Sequence, residues 1–281
     1  MEVMVMKVIG LGDSVVDKYL DLNEMFPGGN ALNFSVYAKK LGFDSAYMGI
    51  LGDDEPGAHI IKTLKKYKID ISHCRVYKGE TGYAEVNLDD GERVFVGGNK
   101  GGVLYENSFK VFQKDLEYLG HFDLIHTSCF SNIEESLEKL KKLNVPISFD
   151  FSSNISEHYL KEICPKIDFG IISCSNISVN ETKNKLKTVV ELGCDFALAT
   201  RGEQGAYLYY QNEYFYQSAH KVVPLDTLGA GDSFLTSFLM DYMSKSNFSV
   251  EVIKKSLARA AKFAAETCLV NGAFGEGKKI N

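Results

Sequence analysis

From Lys7 to about residue 200 the chain alternates short apolar runs with stretches of helical period. The runs VMVMKVIGL, SAYMGIL, FDLIHTS, PISFDF, IDFGIIS and DFALAT are nearly continuous rather than alternating, which is how strands covered on both faces read. Between them, NALNFSVYAKKLG, PGAHIIKTLKKYK, NIEESLEKLKKL and TKNKLKTVVELG carry apolar residues three or four apart, and several end in glycine or basic residues. The pattern predicts an α/β protein: a mostly parallel central sheet flanked by helices, a three-layer sandwich.

Two stretches break the rhythm. SHCRVYKGETGYAEVNLDDGERVF, residues 72–95, alternates and carries an Asp90-Gly91 turn signal, so it predicts an antiparallel hairpin. KYLDLNEMF, residues 18–26, reads as a second extended piece. Segments of approximately 13–27 and 72–97 are therefore expected to form a small β-sheet lid over the carboxyl ends of the parallel strands, where open α/β sheets bind ligands. No repeat, low-complexity tract or Pro/Ser-rich linker divides the chain, so 1–281 is expected to be one domain.

A net charge of -6 with a pI near 5.6 argues against a partner as anionic as nucleic acid or a membrane surface and favours a small molecule. The N-terminal apolar run is too short to span a bilayer and contains Lys7. The 6 cysteines show no C-x-x-C or Cys/His spacing, which predicts free thiols, no protein metal site and a cytoplasmic setting.

The chemistry gathers around DTLGAGDSF, residues 226–234. Apolar residues recur with helical period after Asp232, so Gly229, Ala230 and Gly231 fall at a helix N-terminus. There backbone amides lack intrahelical partners, the dipole favours anions, and small residues admit a phosphate. An Asp in that position tends to stay ionised and can accept a proton from an attacking hydroxyl. Taken alone, G-A-G-D reads equally as a tight turn with an Asp cap.

A second cluster is FPGGNALNFSVYAKKLG, residues 26–42. Gly28 and Gly29 lead into a helix whose first turn carries Asn30 and Asn33 on one face. Carboxamides both donate and accept, which suits sugar hydroxyls, although Asn30 also reads as a helix cap. Upstream, GLGDSVVD places Asp13 and Asp17 four apart at the end of the first strand. Its Gly10-Leu11-Gly12 lacks the third glycine of a dinucleotide fingerprint.

These stretches together resemble the ribokinase-like, PfkB-type carbohydrate kinases over essentially the whole chain. DTLGAGDSF matches the family's D-T-x-G-A-G-D signature and GGNALNFSVYAKKLG its N-terminal glycine-rich signature. The resemblance implies an ATP-dependent sugar kinase with Mg²⁺. Asp232 would be the base and Gly229, Ala230 and Gly231 the anion hole. Asp13, Asp17, Gly28, Gly29, Asn30 and Asn33 would serve the sugar. ATRGEQGAYLY resembles the nucleotide-site segment T-x-G-x-x-G, which implies roles for Thr200, Gly202 and Gly205, with Thr227 beside them. AAETCLVNGAFGEG resembles the segment beside the adenine, which implies Asn271 and Gly272. The family also implies a monovalent-cation environment near Asp226 and a homodimer through the lid as one mode of association.

Within the family, GDSVVDKYLDLNEMFPGGNALN, IDISH, ERVF and FDFS are most similar to the branch that phosphorylates fructosamines such as fructoselysine on the 6-hydroxyl. That likeness places Arg93 on the lid facing the substrate and Asp150 near the metal and phosphates. The family's Mg²⁺-organising N-x-x-E is altered here to SCSNISVNE. Ser175 and Ser178 stand at the motif positions, with Asn180 and Glu181 displaced, so no direct metal ligand is assigned. The competing readings are a kinase for a plain sugar or nucleoside, such as fructose or ribose, and a catalytically inactive sugar-binding regulator. Against the regulator, the acid and its glycines are intact.

Overall fold

A computed structural model of the chain describes residues 6–89, 92–245 and 248–280. Strand β1 (Lys7–Gly12) opens the central sheet, and the chain leaves it at once for the hairpin β2 (Val15–Tyr19) and β3 (Glu24–Gly28). Helix α1 (Asn30–Lys40) returns it to β4 (Asp44–Gly52), and α2 (Glu55–Lys66) leads to β5 (Arg75–Tyr77). A second excursion forms β6 (Tyr83–Asp89) and β7 (Glu92–Gly98). Short helices α3 (Val103–Asn107) and α4 (Gln113–Leu119) precede β8 (Leu124–Ser128). Then α5 (Leu137–Lys141), β9 (Ile147–Asp150), α6 (Glu157–Ile163), β10 (Phe169–Ser173), α7 (Val179–Glu191) and β11 (Phe196–Thr200) continue the alternation. After β12 (Ala206–Tyr210) and β13 (Glu213–Gln217) come α8 (Ala230–Met243), α9 (Val250–Thr267) and β14 (Lys278–Lys279).

The large sheet runs β13-β12-β11-β10-β9-β8-β1-β4-β5, parallel throughout except where β12 and β13 attach antiparallel. Its apolar runs are continuous because both faces are buried. In β11, Phe196 and Leu198 pack with Phe238 and Leu257 of α8 and α9, while Ala197 and Ala199 face the opposite layer with Leu160 and Leu186 of α6 and α7. The mostly parallel sandwich expected from the sequence is what the chain forms.

The smaller sheet, β14-β3-β2-β6-β7, has its own apolar cluster with Val16, Tyr19, Phe26 and Val86 over Leu228 and Phe274. The expected lid differs from it in detail. KYLDLNEMF is not one extended piece but two strands joined by a turn in which Asn23 takes φ 51°. Within 72–97, β5 pairs in parallel with β4 and so belongs to the large sheet, and only β6 and β7 join the small one. β14 adds to it from the far end of the chain. The Asp90-Gly91 turn lies outside the described residues. No helix among the described residues is long and apolar enough to cross a membrane.

Candidate active site

The strand order turns at β1, whose neighbours are β4 on one side and β8 on the other, and crevices at such switch points hold ligands in α/β folds. Asp13 sits there, just past the end of β1. Its Oδ2 accepts the Asn30 amide (2.6 Å), and its Oδ1 accepts the hydroxyls of Ser128 (2.7 Å) and Ser131 (2.9 Å). Asp13 thus caps α1 from outside the helix and ties it to the end of β8, a structural use of a carboxylate expected at the sugar. Asp17 on β2 is buried, and Gly28 on the neighbouring strand has no room for a side chain, because an added Cβ would stand 2.5 Å from Asp17 Oδ2.

A cleft of about 820 Å³ opens over these strand ends. Among the residues expected at the site it is lined by Asp13, Asp17, Gly29, Asn30, Asn33, Asp150, Thr200, Gly231 and Asp232. At its floor the carboxylate of Asp232 accepts from both carboxamides, Asn30 Nδ2 (2.8 Å) and Asn33 Nδ2 (2.6 Å). Asn30 Nδ2 also donates to Asp150 Oδ2 (2.8 Å), so two carboxylates share one amide. Burial, and after it the charge of Asp232, push the Asp150 carboxyl up to about 7.

The orientation of Asn30 is set from behind by His126. Ser148 Oγ stands 2.5 Å from His126 Nδ1, and His126 Nε2 stands 2.8 Å from Asn30 Oδ1. Burial pushes the imidazole down to about 3 and keeps it neutral. The arrangement is satisfied when the serine donates to Nδ1 and Nε2–H donates to Asn30, which turns the asparagine NH₂ toward the two acids. His126 was not singled out in the sequence, where it sits inside the apolar run FDLIHTS.

Helix α8 makes its first bond from the Ser233 amide to Gly229 O (2.8 Å), so the Gly231 amide belongs to the helix end without intrahelical acceptors. Gly231 is exposed, and a Cβ built on it would find its nearest neighbour, Thr200 Oγ1, at 3.9 Å. Gly231 and Thr200 both line the cleft, so the positive end of the helix opens onto it at a residue without a side chain, which suits a phosphoryl group. Gly229 is different: its φ of 74° is left-handed, and an added Cβ would press on the Tyr37 hydroxyl and stand 2.9 Å from Ala273 Cβ.

Asp226 lies fully buried, away from the cleft. Its Oδ1 accepts the Leu228 amide (2.9 Å), and its Oδ2 accepts the Tyr19 hydroxyl (2.5 Å) and the Gly272 amide (2.7 Å). It joins the signature loop to the small sheet and to the C-terminal segment. Gly28, Ala230, Thr227, Gly202, Gly205, Asn271 and Gly272 do not line the cleft. Gly205 packs its turn on the end of β13, and Gly272 packs against Phe26. Asn271 Oδ1 is buried with no hydrogen-bond partner. The side chain of Arg93 lies outside the described part. Glu181 is occupied in a capping box, accepting from the Ser178 amide (2.9 Å) and hydroxyl (2.7 Å) at the start of α7. Ser175 lies beside Gly202. No group of three or more His, Cys, Asp or Glu among the described residues could cage a metal.

Comparison with known proteins identifies the family. The family described as pfkB family carbohydrate kinase matches residues 3–275. The chain is 42% identical to the fructosamine kinase FrlD of Bacillus subtilis, covering 97% of this chain and 94% of that protein. It is 30% identical to the fructoselysine 6-kinase of Escherichia coli, covering 94% and 98%. Its fold resembles the ribokinase of Arabidopsis thaliana solved with ribose and ATP, at TM-score 0.78 and 20% identity over 96% of this chain and 95% of that one. It also resembles the fructokinase with bound ATP from Xylella fastidiosa, at TM-score 0.79 and 19% identity over 96% and 94%. The glycine-rich helix end, the carboxylate held at its first turn and these likenesses along nearly the whole chain place the protein in the pfkB family of carbohydrate kinases.

Proposed function

We propose that this kinase transfers the γ-phosphoryl group of ATP to the 6-hydroxyl of a fructosamine, with fructoselysine as the substrate. The observation that carries the reaction is the placement of Asp232, held by two carboxamides, in the cleft that Gly231 and Thr200 also line. The likeness to a fructosamine kinase and a fructoselysine 6-kinase supports the acceptor.

In this reading Asn30 and Asn33 hold the sugar so that its hydroxyl faces Asp232. The hydroxyl oxygen forms a bond to the γ-phosphorus, the bond from that phosphorus to the β,γ-bridging oxygen breaks, and the proton passes to the Asp232 carboxylate. The Gly231 amide and the α8 dipole stabilise charge on the phosphoryl oxygens. The divalent cation that accompanies ATP would neutralise phosphate charge. The lid strands β2, β3, β6 and β7 would close over the sugar and exclude water.

The test is ADP release with fructoselysine, psicoselysine, fructose and ribose. The highest kcat/KM is expected for fructoselysine. A preference for fructose or ribose would leave a carbohydrate kinase with the wrong acceptor assigned.

A further inference from the structure

At its exposed mouth the cleft has a lining that does not suit a bare sugar. Three aromatic rings from separate segments line it: Phe95 of β7, Tyr105 of α3 and Phe130 of the turn after β8, exposed by 62%, 69% and 62%. A sugar carries a hydroxyl on nearly every carbon and gains little from three rings. A hydrocarbon chain gains from each one it covers. Large apolar side chains gathered at the rim of a binding cleft mark ground that a ligand covers.

Two opposite charges line the same mouth. Lys100, in the turn after β7, is exposed and makes no ion pair among the described residues. Glu134 is half-buried, and its Oε1 accepts the Tyr159 hydroxyl (2.6 Å). That bond fixes the carboxylate while leaving its charge to the cleft. Neither charge is needed for sugar hydroxyls, but a cation, an anion and an apolar surface between strands and turns fit a zwitterion on a carbon chain.

We infer that this mouth is the subsite for the amino-acid part of the substrate. The carbon chain lies on Phe95, Tyr105 and Phe130, its carboxylate pairs with Lys100, and an ammonium pairs with Glu134. The inference rests on the fructosamine reading above and extends it: these residues set the preference for a sugar carrying an amino acid over one carrying a simple amine.

The experiment compares fructosyl-Nε-lysine with fructosyl-methylamine, which share the reacting sugar and its secondary amine but differ in the zwitterionic tail. The ratio of their kcat/KM values is the readout. Wild type should favour the lysine derivative by about tenfold or more, and Lys100→Ala or Glu134→Gln should each reduce that ratio by about tenfold, the worth of one charge-assisted hydrogen bond. Phe130→Ala should reduce it as well. Glu134→Gln keeps an acceptor for Tyr159, so its effect reports charge rather than folding. A wild-type ratio near one, or variants that lower both substrates in proportion, would overturn the subsite and leave the fructosamine kinase standing. Turnover of fructose or ribose with neither fructosamine accepted would instead remove the substrate reading, and the subsite with it.

Discussion

Gly231→Ala separates phosphate recognition from folding. In the ligand-free protein the added methyl meets nothing nearer than Thr200 Oγ1 at 3.9 Å, an ordinary contact, and Gly231 is not among the glycines with positive φ. The residue lies in the first turn of α8. Alanine is favoured over glycine in a helix interior by about 1 kcal/mol, with part of the effect arising in the unfolded chain. Stability should therefore hold or rise by about 0.5–1 kcal/mol, or about 1–3 °C in Tm for a chain of this size. Activity should move the other way. A phosphoryl oxygen must come within about 3 Å of the amide to accept its hydrogen bond, and the methyl would occupy the space on that side. Loss of one such donor typically costs about 10²–10³ in rate, or about 2.7–4 kcal/mol. Coupled ADP release and a thermal scan on the same sample read both quantities. A variant that kept kcat/KM for ATP within about threefold of wild type would refute the phosphate cradle. Gly229→Ala is the contrast: with φ at 74° and the Tyr37 hydroxyl in the way, it should lose at least about 1–2 kcal/mol of stability.

Asp232→Asn should lower kcat by about 10²–10⁴ through loss of the base. It should also cost about 1–3 kcal/mol in urea unfolding, because its NH₂ would face the NH₂ of Asn30 or Asn33 where a carboxylate now accepts. Asp150 gives a pH dependence. Its carboxyl is raised to about 7 in the folded protein from an ordinary unfolded value, so the folded state holds the extra proton, and this contribution to stability is full below about pH 4 and lost as pH rises through about 7. Urea titrations from pH 4 to 8 should show that decline in wild type and a weaker one in Asp232→Asn, where the like charge is gone; parallel profiles would contradict the shared-amide geometry. His126→Phe retains a ring to stack on Phe34 but leaves Asn30 Oδ1 without its donor, and should reduce kcat/KM by about tenfold or more. His126→Gln should restore part of it.

Much of the fold could be read from the chain because both faces of the large sheet are covered, so each strand wrote itself as an unbroken apolar run. The placement of Gly229–Asp232 at a helix start and of Asn30 and Asn33 on one face was legible for a related reason, since helical period alone gives it, while the roles expected of them came only from the family resemblance. What escaped were partners that meet only across the sheet. His126 and Ser148 stand side by side because β8 and β9 pair in parallel with those residues in register, and the histidine reaches Asn30 across 96 residues. The one available signal was a polar residue inside each of two neighbouring apolar runs. Within 72–97, β5 was misassigned for the opposite reason: an exposed edge strand looks the same from its sequence whichever sheet it joins.

In the proposed mechanism these hidden partners would decide which acid does which work. Asn30 has two N–H donors and offers one to each carboxylate, so the acids are held close, and like charges held close resist ionising together. The one buried more deeply and pressed by its neighbour's charge takes the first proton, and Asp150 is pushed that way. His126 cannot relieve the pair, because burial drives its imidazole down to about 3 and it stays a neutral donor at working pH. Separation of this kind between two neighbouring carboxyls is how sites divide acid from base. In the proposed mechanism Asp232, at the positive end of α8 in the cleft that Gly231 also lines, would then be the carboxylate left to receive the proton of the attacking hydroxyl, and Asp150 the one whose charge follows pH near neutrality.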